Sequence, residues 1–188
     1  MENGRTEGNS RRTYVVIGVI VAVILVVFAA LVIVDLRQRG GSGSMGEVQT
    51  FDKLSRDHTK SSVSYPQSPP VGGAHDPAWQ NCGFYTQPVR NENGVHSLEH
   101  GAVWITYQQN LAQDQIDKLR NLAQNQTYVL VSPYPDLPSP VVASAWGKQE
   151  RLKGANDPNL GKFVQKYRQG PQTPEPGAPC TGGIGNPG

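Results

Sequence analysis

Four histidines, His58, His75, His96 and His100, are the only ones in the chain, and all lie between residues 58 and 100. Imidazole offers a neutral nitrogen lone pair at physiological pH, so three or four of these rings converging would suit a transition metal such as zinc or copper. Magnesium and calcium prefer oxygen ligands and match the set poorly. The closest pair lies in "GVHSLEHGAVWITY", Gly94 to Tyr107, where His96 and His100 are four residues apart and Glu99 stands between them. On a helix such a pair shares one face, with about 6 Å between Cβ atoms. On a strand, at roughly 3.3 Å per residue, the two would be about 13 Å apart, too far for one ion. A shared metal therefore requires helical turns at residues 95–100, and Gly101 is suited to end them by adopting a positive φ before the next strand.

"HSLEH" also fits the H-x-x-E-H pattern, in which two histidines hold zinc and the glutamate is the general base of a protease. Those enzymes carry the motif in a long helix with a further acidic ligand downstream. Here Gly94 and Gly101 bracket it, a strand-like run follows, and the only later glutamates are Glu150 and Glu175. Three readings arise from these residues. In the first, His96 and His100 bind a metal, His75 and His58 complete its shell, and Glu99 orients an imidazole. In the second, the domain is a metal-dependent hydrolase with Glu99 as general base. In the third, it is a non-catalytic interaction or scaffold domain of the cell envelope, whose histidines only knit a loop region to a sheet. Taken singly, His58 reads as an exposed residue after a short helix and His75 as a brace in the turn "GGAHDP".

The elements that must position these side chains are legible from periodicity. "AVWITY" after Gly101, "TYVLVS" (Thr127 to Ser132) and "VVASAW" (Val141 to Trp146) read as strands from their β-branched and aromatic content. Between the first two, Asn110 can cap a helix whose apolar positions are Ala112, Ile116, Leu119 and Ala123. Asp157-Pro158 starts another, with Leu160, Phe163, Val164 and Tyr167 on its buried face and Gly170-Pro171 as its stop, after which the ending reads as an extended tail that only Cys180 could pin down. Upstream, Val48, Phe51 and either Leu54 or Ser55 are spaced for a short helix, and Ser64 to Val89 is so rich in Pro, Gly and Asn that a long structured loop is expected. Such a loop needs a fastener. The fold class is therefore α+β: a small β-sheet with packed helices in the order β-α-β-β-α, laid against a long N-terminal loop region.

Ahead of this domain, Tyr14 to Val34 forms an uncharged apolar run. As a helix it would span roughly 30 Å, the thickness of a bilayer's hydrocarbon core. It is too long for the apolar segment of a cleaved signal peptide and reads as a signal-anchor. The expected organisation is a disordered cytoplasmic tail over 1–12, a transmembrane helix over 13–36, a Gly/Ser linker over 37–46 and an extracytoplasmic α+β domain over 47–188. Orientation rests on Arg5, Arg11 and Arg12 before the helix against Arg37 and Arg39 after it, a small positive-inside bias. The chain is thus expected in the cell membrane as a single-pass protein, N-terminus cytoplasmic. Cys82 and Cys180 are the only cysteines. Outside the membrane a pair in a loop-rich domain is naturally a disulfide, and two separate buried thiols are the alternative. A formal net charge of +2 over 188 residues, without clustered Lys/Arg, speaks against nucleic acid as a partner. The membrane is the partner expected, and the residues point to no particular protein partner.

The succession "SPPVGGAHDPAWQNCGFYTQPV", "VHSLEHGAVWITY", "SPYPDLPSPVVASAWG" and "PEPGAPC" resembles a family of membrane-anchored proteins that contain a domain of unknown function, number 3105. The resemblance runs from about His58 to Cys180. It implies an N-terminal anchor, an extracytoplasmic domain, and a common site at His58, His75, His96 and His100, together with the two cysteines. It implies no particular activity.

Overall fold

The computed structural model describes residues 14–26 and 46–188. The chain divides into two units, residues 1–42 and 43–188. In the first, residues 14–26 are helical (α1) and their apolar side chains are exposed. Among the described residues no helix is long and apolar enough to cross a membrane. The remainder of the expected span, the 1–12 tail and all but the last residue of the expected linker lie outside the described residues.

The second unit is built on a mixed six-stranded sheet in the order β1-β6-β5-β3-β4-β2. Its strands are β1 (Gln49–Thr50), β2 (Gly83–Phe84), β3 (Val103–Tyr107), β4 (Val129–Pro133), β5 (Val141–Ala145) and β6 (Lys148–Leu152). Strand β3 pairs parallel to β4 and antiparallel to β5, with Ile105 opposite Val131 on one side and Ala143 on the other. Helices α2 (Asn91–Glu99), α3 (Gln113–Asn125) and α4 (Pro158–Tyr167) complete the fold. The expected β-α-β-β-α succession is present except for one further strand, β6, between β5 and α4, and α3 is the crossover between parallel β3 and β4. Asp157 caps α4 as its sequence demands, accepting from the Asn159 backbone N–H at 3.0 Å.

Three local expectations are corrected. Residues 48–54 form no helix: Gln49–Thr50 is an edge strand paired antiparallel to β6, because the sheet's open edge offers backbone partners that an isolated short helix lacks. Asn110 does not cap α3, which starts at Gln113 behind Ala112 without a side-chain cap. The tail after Gly170 is held by far more than Cys180. Ile184 forms a parallel bridge with Gln80, donating to the Trp79 carbonyl and accepting from the Asn81 N–H, and Gly188 donates to the Phe84 carbonyl at 2.9 Å.

Alternation along the strands sorts the interior into two faces. Val103, Ile105, Val129, Val131, Val141 and Ala143 point to one side, where Leu119 of α3 and Leu160, Phe163 and Tyr167 of α4 close an apolar core. Trp104, Leu130 and Val142 point to the other, against Val95 and Leu98 of α2 and against Trp146. That second face also buries Thr106, Ser132, Ser144 and Gln149. The Trp104 indole donates to Ser132 (3.0 Å), and Gln149 donates to Ser144 Oγ (3.0 Å) and to the Pro69 carbonyl (2.9 Å). Cys82 and Cys180 are joined in a disulfide with Cα atoms 5.4 Å apart, 98 positions apart in sequence. A loop of that length corresponds to about 4–5 kcal/mol in the chain-entropy account.

Candidate metal centre

The short helix α2 positions the site. Eight of its nine residues, Glu92 to Glu99, are buried, although five of them are polar or charged. It reaches this depth because Gly94 has no side chain: a Cβ there would lie 2.7 Å from a ring carbon of Trp104 on β3. Its polar groups are matched to backbone atoms of the long loop. Asn93 donates to the Ala78 carbonyl (2.6 Å), Ser97 to the Gln80 carbonyl (2.7 Å), and Glu92 accepts from the Val63 N–H (2.7 Å). Arg90, just ahead of the helix, spans Asp76 (2.6 Å) and Glu92 (3.0 Å). The helix ends as expected, with Gly101 at φ +96° turning the chain into β3.

His96 and Glu99, three residues apart, therefore face the loop from one side of α2. From the loop come His58 and His75, placed side by side by a parallel bridge: His75 N–H donates to the Asp57 carbonyl (3.0 Å) and Thr59 N–H to the His75 carbonyl (2.7 Å). The rings of His58, His75 and His96 form a near-equilateral triangle, with centroids 4.8, 4.9 and 5.0 Å apart. One ligand atom from each of His58, His75, His96 and Glu99 lies within 4.8 Å of all the others. In a tetrahedral zinc site with ligands 2.0–2.2 Å from the ion, ligand atoms lie roughly 3.3–3.6 Å apart, so the set closes on an ion by shifts of up to about 1 Å.

Hydrogen bonding selects which nitrogen faces the centre. His75 Nδ1 donates to the Gly73 carbonyl (2.7 Å) and His96 Nδ1 to the Asp76 carbonyl (2.6 Å). A carbonyl only accepts, so both Nδ1 atoms carry the proton and Nε2 is the atom turned inward. His75 Nε2 lies 2.8 Å from Glu99 Oε2. That distance would suit a hydrogen bond, yet the two atoms are not aligned for one, and both are buried without a hydrogen-bond partner among the described residues. Two electron-rich atoms crowded together and aimed past one another is the arrangement of ligands that share a third centre. Burial pushes the His96 imidazole down to about 4; its bond to Asp76 opposes this, and the three neighbouring histidines reinforce it. The ring is therefore neutral at pH 7. Asp76 is held below the ordinary carboxylate range by the Ala78 N–H first and by Arg90 second.

The expected site residues do not all meet. His58, His75 and His96 converge, and Glu99, expected as an orienting group or a base, joins them among the ligand atoms. His100 stands behind His96, with ring centroids 4.5 Å apart, and is directed away: its Nδ1 donates to the Pro179 carbonyl (2.7 Å) and its Nε2 lies 3.6 Å from Glu175. Trp146 meets His75 edge-on and Trp79 packs on His96 and His100, walling the cluster. Arg90 and these two tryptophans were not among the expected site residues. Only the i, i+2 spacing of Arg90 and Glu92 hinted at the ion pair.

A family model described as protein of unknown function, DUF3105, matches residues 57–182. The chain belongs to this family. The DUF3105 region begins one residue before His58 and ends two after Cys180, so it contains the whole histidine-glutamate cluster, His100, α2 and the disulfide. Among curated proteins and among solved structures, none matches the chain.

Proposed function

We propose that this DUF3105 protein is a single-pass membrane protein whose extracytoplasmic domain binds one transition-metal ion through His58, His75, His96 and Glu99. The observation that carries the reading is the buried, unpartnered 2.8 Å approach of His75 Nε2 to Glu99 Oε2, with His58 and His96 closing the same space. A set of three imidazoles and one carboxylate favours zinc, because it lacks the thiolate or thioether sulfur that would favour copper(I). The anchoring rests on the uncharged run Tyr14 to Val34, and an oxidising location outside the cytoplasm agrees with the Cys82–Cys180 bond.

A hydrolase would need Glu99 off the metal and beside a bound water. Its side chain is instead 2% exposed and stands among the ligand atoms, which favours a binding centre over a general base. The test is metal content and zinc affinity of the purified full chain. Stoichiometric zinc is expected, with His75→Asn and Glu99→Gln each weakening it by more than about 100-fold. A wild-type chain that takes up neither zinc nor copper at micromolar concentrations overturns the reading and leaves the histidines a purely structural role.

A further inference from the structure

The four ligand positions are unequal, and the inequality bears on how the proposed metal site works. His75, His96 and Glu99 are buried, and the two histidines are locked by Nδ1 bonds to backbone carbonyls. The His58 side chain is 46% exposed, and among the described residues no hydrogen bond holds its Nδ1. The residues leading to it, Ser55 to Asp57, are exposed as well. The segment is tied at this point through the Asp57 carbonyl and the Thr59 N–H, which leaves the ring free to rotate about its own side-chain bonds without breaking the bridge. Its ring lies on His96 with an interplanar angle of 27° and a centroid distance of 5.0 Å, and it meets the edge of His75 at 89°.

Resting on the metal reading above, we infer that His58 is a displaceable fourth ligand and that its place is taken by a planar nitrogen donor, such as the imidazole of a partner's histidine. Rotation of His58 toward solvent opens one coordination position, on the exposed side of the ligand set, while three buried ligands keep the ion. The space left is flat, with the His96 ring as its floor, so a flat aromatic donor regains both the metal–nitrogen bond and the stacking. A small linear anion regains only the first. The exchange swaps one neutral nitrogen donor for another and leaves the charge of the site unchanged.

The full chain loaded with Co²⁺, which reports its coordination through visible absorption, provides the test. His58→Ala is expected to keep one Co²⁺ with at least about tenfold weaker affinity and an altered spectrum, and millimolar imidazole is expected to restore the wild-type band. Azide at the same concentration should restore it less. His75→Ala should lose the ion and show no rescue. In the metal-free state, circular dichroism and thermal unfolding of His58→Ala should match the wild type, since the side chain is partly exposed. A His58→Ala spectrum and affinity identical to wild type would show that His58 is no ligand. Loss of the ion beyond rescue would make it an indispensable one, and better rescue by azide would overturn the planar-donor assignment. If the wild-type chain itself binds neither Co²⁺ nor Zn²⁺, the metal reading fails, and this inference fails with it.

Discussion

The two sides of the central sheet are held by different physics. Toward α3 and α4, the alternate residues of β3, β4 and β5 meet Leu119, Leu160 and Phe163 in a core that is almost wholly apolar. Toward α2 and the long loop, the same strands present Thr106, Ser132 and Ser144 beside Trp104 and Leu130, and polar side chains of α2 are joined one by one to loop carbonyls. Apolar burial is non-directional and tolerates imprecision, whereas a buried hydrogen bond fixes an atom in place. The first side therefore supplies stability, and the second supplies the placement a ligand set requires.

The contrast can be broken from either side. Phe163→Ala, in the apolar core, should cost about 3–5 kcal/mol in denaturant unfolding while the folded fraction still takes up metal with wild-type stoichiometry. Gly94→Ala should do the reverse: a stability cost of about 1–3 kcal/mol from crowding against Trp104, with a larger relative loss of metal affinity because His96 and Glu99 ride on the displaced helix. If Phe163→Ala weakened metal binding in the folded protein as much as Gly94→Ala does, the division would be wrong.

The smallest expected effect sharpens the comparison with a carboxylate on the apolar side. Glu150 of β6 is paired in register with Ala143, and burial raises its pKa above the ordinary carboxylate value of 4.5. A raised folded value means the folded state is penalised when the group is charged. The penalty is full above the raised value and disappears as pH falls below 4.5. Glu150→Gln should therefore raise Tm slightly at pH 7 and leave it unchanged near pH 4. No gain at pH 7 would show that the bond to Asn159 compensates for the burial.

The apolar side was also the side that could be read from the sequence. Strands β3, β4 and β5 announce themselves by β-branched runs, and Asp157-Pro158 marks the start of α4 with its buried face correctly spaced. Strand β6 was missed because "KQERL" carries almost no apolar signal. Its Gln149 is buried only because Ser144 and Pro69 receive its amide hydrogens. On the loop side, the helical conformation of "VHSLEH" was a requirement of the metal hypothesis and proves to be real. Which of Glu99 and His100 joins His96 was not legible. Both are spaced to share its face, and the choice depends on the tertiary position of the His58–His75 bridge and on Pro179, whose carbonyl draws His100 away. Backbone partners contributed by segments 20 to 80 residues distant leave no trace in local periodicity.

The disulfide and the histidine-glutamate cluster share a topological consequence. An ion bound by His58, His75, His96 and Glu99 would close the chain from residue 58 to residue 99, and the disulfide closes it from 82 to 180. The two closures overlap between residues 82 and 99, the stretch that contains α2, so α2 lies inside both rings. A reductant would open one ring and a chelator or acid the other, and neither treatment alone would release the helix from covalent or coordinate enclosure.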